Sequence, residues 1–454
     1  MLTTLAGQLA EYTANLRYQD LPGPVVHEVK RRVIDALACA LGAMESDPGR
    51  IARTVACAAT AAPGATVLGT THRTTTDLAA FANGALVRYL DYNDTYLSLE
   101  PAHPSDNIPA ALAVGEAEGR DGKELIAAIL LAYEVQCRFC DAASIRKRGW
   151  DHVTYGVFSS ALASARLMGL STEQVLQAVR IAGVNAASLR QTRVGQLSMW
   201  KGCAFAHAAR TGVFAATLAK HGMTGPSGIF EGEMGFWKQV SGPFEVPVLG
   251  GGEAPFKILD TSIKFYPAEY HAQSAIEAAL ALRPIVGGAE NIQLIAIHSF
   301  DAAVDIIGGD EEKWRPTSRE TADHSLPYCV AVAFMDGTVG LEQFSEERIA
   351  DPDLRALMAR ITVARSAELT REYPEGIPNL LEVTTQSGQT HSRKVTYPRG
   401  HARNPMSDAE VEEKFRRLAA QVLPEDRIAR ALETLWHLED VTDIGELMRL
   451  FARS

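Results

Sequence analysis

Residues 123–140 read KELIAAILLAYEVQCRFC, and this run decides the fold class. Leu125, Ile126, Ile129, Leu130 and Tyr133 recur three and four apart, the spacing that lines a helix face and not a strand. Charged residues at both ends keep the run below the roughly 18 uninterrupted apolar residues of a membrane span. Cys137 and Cys140 form a CxxC inside the helical pattern with no second pair nearby, so they read as buried thiols, not as a metal or redox pair. The same spacing recurs in VVHEVKRRVIDALACALGAM (25–44), DLAAFANGALVRYLDYND (77–94) and EQVLQAVRIAGVNAASL (173–189). Leu2, Leu5, Leu9, Tyr12 and Leu16 predict an amphipathic first helix capped by Thr3 or Thr4. Ser171 with Gln174 forms a capping-box pattern. Residues 1 to about 240 therefore predict helix after helix, and no fixed-period repeat points to a solenoid.

The pattern then changes. HGMTGPSGIFEGEMGFW (221–237) and VPVLGGGEAPFK (246–257) are rich in glycine and proline and read as loops. NIQLIAIHSF (291–300) alternates like a strand, and LLEVTTQSGQTHSRKVTYP (380–398) reads as a hairpin turning at SGQ. Helical patterns flank them at HAQSAIEAALAL (271–282) and SLPYCVAVAFM (325–335). Ser407 with Glu410 opens helices that run to the end. The expected fold is mostly α: a large all-helical domain over 1–260, an inserted smaller α+β lid domain over 261–398, and C-terminal helices over 399–454 that return to the helical domain. A site is expected where the two domains meet.

The chain has 454 residues, 46% of them hydrophobic, with a net charge of −11. That balance argues against a nucleic-acid partner, and any polyanionic substrate needs a local cluster of cations. Six cysteines in a chain of this length do not make a disulfide framework. With no signal-peptide or membrane pattern, a cytoplasmic protein is expected.

The densest chemistry lies in DYNDTYLSLEPAHPSD (91–106). Asp91 and Thr95 are four apart and predict one shared helix face. Pro101 and Pro104 bracket His103, which places it on a stiff, extended elbow. Ser105 is expected to cap a helix beginning DNIPAALAVGEA, with Pro109 in its first turn. A helix N-terminus disfavours imidazolium, which suits a neutral base. His152 likewise opens the run DHVTYGVFSSALASARLMGL. Lys201, in SMWKG, starts a small-residue helix, the wrong sign for the helix dipole unless its ammonium meets an anion. Lys264 lies in IKFYPAEYHAQ, where Glu269 and His271 precede the next helix. Taken singly, His152 reads as a cap or core histidine, Lys201 as a solvated loop lysine and Lys264 as part of a hinge. No HExxH, paired CxxC, GxxxxGK[ST], GxGxxG after a strand or GxSxG is present, so neither metal nor nucleotide is expected.

The segments LDYNDTYLSLEPAHPSDN, DHVTYG, SMWKGCAFAHAAR, GMTGP, KFYPAEYHAQSAIEAA, ADHSLPYCVAVA and YPRGHARNP, in this order, resemble the MmgE/PrpD family along nearly the whole chain. That family contains 2-methylcitrate dehydratases, citrate dehydratases, cis-aconitate decarboxylases and an iminodisuccinate epimerase. The resemblance implies a helical domain with a smaller lid domain, commonly as a homodimer, and no cofactor. It implies catalytic roles for Asp91, Thr95, His103, His152, Lys201 and Lys264. Glu269, His271, His401 and Arg403 become candidates for substrate contacts. The decarboxylase branch tends to carry histidine where this chain has Glu269, and PAEYHAQ and HPSDN resemble the dehydratase branch. The implied activity is a cofactor-free hydro-lyase that dehydrates 2-methylcitrate or citrate to the corresponding cis-aconitate. The alternatives are an epimerase acting on a C4 imino or amino diacid and a cis-aconitate decarboxylase. On this reading one histidine removes a proton, the other histidine or a lysine protonates the leaving hydroxyl, the lysines clamp carboxylates, Asp91 tunes a histidine and Thr95 holds a substrate oxygen. His103 and Lys201 stand at helix starts outside the apolar stripes, so alanine at either is expected to spare stability.

Overall fold

The computed structural model describes residues 4–252 and 254–453; Leu2 and Thr3 of the predicted first helix lie outside them. Nine long helices make up the first part: α1 (Leu5–Asn15), α2 (Gly23–Gly42), α3 (Asp47–Cys57), α4 (Thr76–Tyr89), α5 (Ile108–Ala117), α6 (Gly122–Ala142), α7 (Val153–Leu167), α8 (Thr172–Val184) and α9 (Trp200–Lys220). Thr4 caps α1 by accepting from the Gly7 N–H, and the Ser171–Gln174 capping box is formed. Between α3 and α4 lies a two-stranded ribbon that the sequence pattern does not show, β1 (Ala65–Thr66) with β2 (Arg73–Thr74). Among the described residues no helix is long and apolar enough to cross a membrane.

Helix α6 is buried on every side, from Leu125 to Cys140. A helix apolar all round belongs in the middle of a protein. Its one carboxylate there, Glu134, is satisfied by Arg138 at 2.7 Å and by the backbone N–H groups of Gly250 and Lys257. The glycine-rich stretch after α9 is thereby tied to the hub, although it forms little more than a short π turn at Trp237–Ser241 and a 3₁₀ turn at Lys257–Asp260.

After Ile263 the chain leaves this core. Helix α10 (Gln273–Val286) and strands β3 (Ile292–Ser299), β4 (Ile361–Arg365), β5 (Asn379–Thr385) and β6 (Thr390–Val395) follow, with a helix at Leu326–Asp336 between β3 and β4. The sheet order is β4-β3-β5-β6. β3 and β4 are parallel, and the other pairs antiparallel. Ile295 faces Val383 and Ile297 faces Leu381 across β3 and β5, and these four build a second hydrophobic core with α10 and the Leu326–Asp336 helix. The β5–β6 hairpin follows the sequence pattern; β4, only five residues long, shows no clear alternation. From Met406 the chain rejoins the first core, and the Ser407–Glu410 capping box is formed.

Two local expectations are corrected. α4 ends at Tyr89, and Asp91 has φ +51°, so Asp91 and Thr95 share a loop, not a helix face. Ser105 is not a cap: it sits inside a 3₁₀ turn, Pro104–Asn107, and its N–H donates to Asp94 at 3.0 Å. Buried polar partners override the local propensity here. Asp94 accepts from Tyr133, and Asn93 donates to Ser105 and Asp106. Pro109 does stand in the first turn of α5.

α7 and α9 approach closely enough that a Cβ on Gly212 would lie 2.7 Å from both Ala161 N and Val157 O. This contact brings their N-termini, with His152 and Lys201, to the same place. Gly212→Ala should therefore destabilise the protein by about 1–3 kcal/mol through overpacking. Alanine's helix-propensity advantage of about 1 kcal/mol should not offset that loss. Urea unfolding of the two proteins checks it, and an unchanged or higher midpoint would contradict the packing argument.

Candidate active site

Asp91 is the centre of the site. An aspartate tolerates the left-handed conformation better than most residues, and that conformation turns its carboxylate into a fully buried cluster of cations. Arg88 pairs with Oδ1. Lys264 Nζ lies 3.0 Å from the same oxygen and 2.9 Å from the Asp91 carbonyl. Lys201 Nζ lies 3.8 Å from Oδ2 and 3.1 Å from Asp323 Oδ1. Burial opposes the charge on Asp91, but Arg88, Lys201 and Lys264 outweigh it and hold the carboxyl well below its usual range. The Lys264 ammonium is shifted downward by burial, with Arg88 adding repulsion. Lys414, from the C-terminal part, fixes this arrangement from behind: its Nζ donates to the carbonyls of Tyr92 and Lys264 and pairs with Asp35 at 2.6 Å.

Around this centre stand four histidines. His103 Nδ1 lies 2.7 Å from the Asp94 carbonyl, so it carries the proton, and Nε2 accepts from Arg88 at 3.0 Å. Burial and the neighbouring Arg88 hold its pKa well below 6.5. His152, at the start of α7, places Nδ1 2.8 Å from Asp151 Oδ1, and its Nε2 is buried without a partner. Asp151 is held in turn by Arg193 at 3.0 Å, and Arg193 also donates to the Lys201 carbonyl. Burial lowers the pKa of His152 as well. His271 Nδ1 lies 2.7 Å from Glu269, again with Nε2 buried and unpartnered. Burial opposes the Glu269 charge, but His271 and its hydrogen bond bring the carboxyl down to about 2. His324 Nδ1 lies 2.6 Å from Asp323 and 3.6 Å from Asp91, and burial with Lys201 lowers its pKa to about 4.

Asp91, Thr95, His103, His152, Glu269 and His271 all line one cavity of about 200 Å³ between the two cores, together with His324. Lys201 and Lys264 touch Asp91 and are not in the lining; they act on the cavity through that carboxylate. The cations in the wall are Arg88, Arg146, Arg190, Arg193 and Lys313. Lys313 is only 2% exposed, and no hydrogen bond or ion pair to its ammonium is present among the described residues. His401 and Arg403 lie elsewhere, in a wider cavity of about 470 Å³ that meets the first at Thr95 and Tyr270. Arg403 there is already paired with Glu375 at 2.9 Å. Thr95 is pinned by backbone bonds to Ser262, and its hydroxyl donates to the Ala102 carbonyl at 3.2 Å.

Sequence reasoning missed Arg88, Asp151, Arg190, Arg193, Lys313, Asp323 and His324. Asp323 and His324 had a signal: ADHS, like WDH at 150–152, sets an acid directly before a histidine just ahead of a helix. The arginines and Lys313 had none, because they come from segments far apart in the chain. Asp91, Asp323 and His324 each bring a ligand-type atom within 4.8 Å of the others. Arg88, Lys201 and Lys264 already neutralise those carboxylates.

The cavity thus sets carboxylate-held imidazoles beside a wall of cations. Residues 7–248 match the MmgE/PrpD N-terminal domain and residues 266–439 the MmgE/PrpD C-terminal domain, and the chain belongs to this family. It is 32% identical to a 2-methylcitrate dehydratase of Cupriavidus necator over 439 residues, covering 90% of this chain and 88% of that one. It is 30% identical to the 2-methylcitrate dehydratase of Escherichia coli K12, covering 88% and 87%. A probable 2-methylcitrate dehydratase of Saccharomyces cerevisiae is 29% identical, with 81% and 76% covered.

The expectation that alanine at Lys201 spares stability does not hold for a residue 1% exposed. Lys201→Ala leaves Asp323 and part of the Asp91 charge buried and unpaired, so unfolding should cost about 3–5 kcal/mol less. Chemical denaturation measures it, and a loss below about 1 kcal/mol would show that the cluster is not structural.

His324, faced by Asp323, Asp91 and Lys201, also shapes the acid limb of stability. Its pKa falls from 6.5 unfolded to about 4 folded. Between these values the unfolded chain binds the extra proton. Stability is therefore full above pH 6.5 and declines as pH falls toward 4, by at most roughly 3 kcal/mol from this group. His324→Gln should flatten the acid limb in pH-dependent unfolding; an unchanged slope would contradict a neutral, buried His324.

Proposed function

We propose that this chain is a cofactor-free dehydratase, a carbon–oxygen lyase acting on 2-methylcitrate, with citrate as the next candidate, and giving the corresponding cis-aconitate. The observation that carries this reading is Lys313: an ammonium in the cavity wall with no hydrogen bond or ion pair among the described residues, beside the imidazoles of His152 and His271 whose Nε2 atoms have no partner. An unpaired buried charge is costly, and a substrate carboxylate removes that cost. Relatives named 2-methylcitrate dehydratase along most of their length support the choice of acid.

Lys313 and Arg190 hold substrate carboxylates, and Thr95 holds a substrate oxygen. Dehydration takes a proton from the carbon beside a carboxylate, turns that C–H pair into the double bond, and releases hydroxide as water after it gains a proton. His152 is a proton-transfer group: Asp151 holds its Nδ1–H, so Nε2 faces the substrate. His103, whose Nε2 already accepts from Arg88, keeps that guanidinium aimed along the cavity. The Asp91 cluster supplies fixed charge where negative charge develops, the largest contribution in most such reactions. His401 and Arg403 face the adjoining cavity, which meets this one at Thr95 and Tyr270.

In this reading residues 261–398 act as a lid over a helical body, and the protein works as a homodimer. Protein stripped with a strong chelator and sedimenting at twice the chain mass should convert 2-methylcitrate to a product with the absorbance of a conjugated double bond and a proton-NMR methyl signal collapsed from a doublet to an allylic singlet. His152→Asn should lower kcat on the order of 10²–10⁴-fold, and Lys313→Gln should act mainly on KM. Inversion of a C4 imino or amino diacid with no unsaturated product would select an epimerase. Activity restored only by an added metal would end the cofactor-free mechanism, and sedimentation at the chain mass would end the dimer.

A further inference from the structure

Three of the cavity histidines share one construction. His152, His271 and His324 each give Nδ1–H to a carboxylate one or two residues earlier in the chain: Asp151, Glu269 and Asp323. That bond fixes the tautomer and leaves Nε2 as the nitrogen able to accept a proton. The surroundings separate them. His271 packs against the rings of Phe300 and Tyr373, with centroids 5.2 and 5.6 Å away. His324 instead stands among cations, with Lys201 Nζ 3.2 Å from Nδ1, beside the shorter bond to Asp323, and Arg88 and Lys264 on the far side of Asp91. The next residue, Ser325, donates its hydroxyl to the Lys313 carbonyl, so the segment carrying His324 is tied to the one carrying the unpaired ammonium. A carboxylate on Lys313 brings its neighbouring carbon toward His324, and cations are at hand for the charge that appears when that carbon loses a proton.

We infer that His324 is a second catalytic residue of this site, the base that removes the carbon-bound proton from a polycarboxylate 2-hydroxy or 3-hydroxy acid, with His152 as the acid opposite it. This rests on the dehydratase reading. Nε2 of His324 takes the proton, and the C–H electron pair becomes the carbon–carbon double bond. The C–O bond on the adjacent carbon breaks, and its oxygen takes the proton of the His152 imidazolium and leaves as water. His324 ends protonated and His152 neutral, and solvent returns the proton before the next turnover. Burial and Lys201 keep His324 unprotonated, while the bound carboxylates favour the imidazolium at His152. The two catalytic histidines thus come from different parts of the chain, one from each hydrophobic core.

His324→Asn tests this, because an asparagine amide can still donate to Asp323 but has no basic nitrogen. With 2-methylcitrate as the probe, kcat should fall on the order of 10²–10⁴-fold while KM stays within about threefold and the melting temperature stays near wild type. In D₂O the wild type should exchange the carbon-bound proton of 2-methylcitrate and the variant should not. His324→Ala should regain activity in proportion to added imidazole base. A variant whose kcat lies within threefold of wild type, or which still exchanges the proton, overturns the assignment; so does a well-folded His324→Ala that imidazole does not rescue. If the wild type itself leaves 2-methylcitrate unchanged, the fault lies in the dehydratase reading, and the His324 assignment falls with it.

Discussion

One buried carboxylate organises this protein. Asp91 is fully buried, in a left-handed backbone conformation, and receives Arg88, Lys201, Lys264 and His324. Each of those partners comes from a different stretch of chain. Arg88 ends α4, Lys201 begins α9, Lys264 precedes the second core, and His324 begins the helix within it. Such a cluster is affordable only if every charge is matched, because an unmatched one costs several kcal/mol. The two cores therefore have to meet in one way, and the cavity is what remains open between them.

The charge pattern sets the cavity apart from the acidic chain around it. Net charge is −11, but the acids are mostly at the surface, while the cavity wall carries Arg88, Arg146, Arg190, Arg193 and Lys313. Buried charge is screened little by salt, whereas surface charge fades within about 8 Å at physiological ionic strength. The cavity carries the local cations, not the average charge.

Local sequence also sets the tautomers. Asp151 before His152, Glu269 two before His271, and Asp323 before His324 place each carboxylate on Nδ1 without tertiary help. What tertiary structure adds is the Nε2 side: which ring faces aromatic residues, which faces ammonium groups, and which, like His103, is already taken by an arginine.

Sequence by itself determined the helices, the hairpin, both capping boxes and the order of the family's motifs, because apolar spacing and caps act within a few residues. It also marked six of the cavity residues: Asp91, Thr95, His103, His152, Glu269 and His271. It misjudged the conformation of the Asp91–Ser105 stretch, where buried hydrogen bonds to Asp94, Tyr133 and Asp106 outweigh the helical propensity of the preceding run. It named His401 and Arg403 as candidates for substrate contacts, and the fold sets them in the adjoining cavity, since nothing local says which side of Thr95 and Tyr270 a returning chain will pass. Lys313 and Arg190 were invisible for the same reason. A lone cation in sequence looks solvated, and only the packing of two cores decides that it stands in a cavity wall.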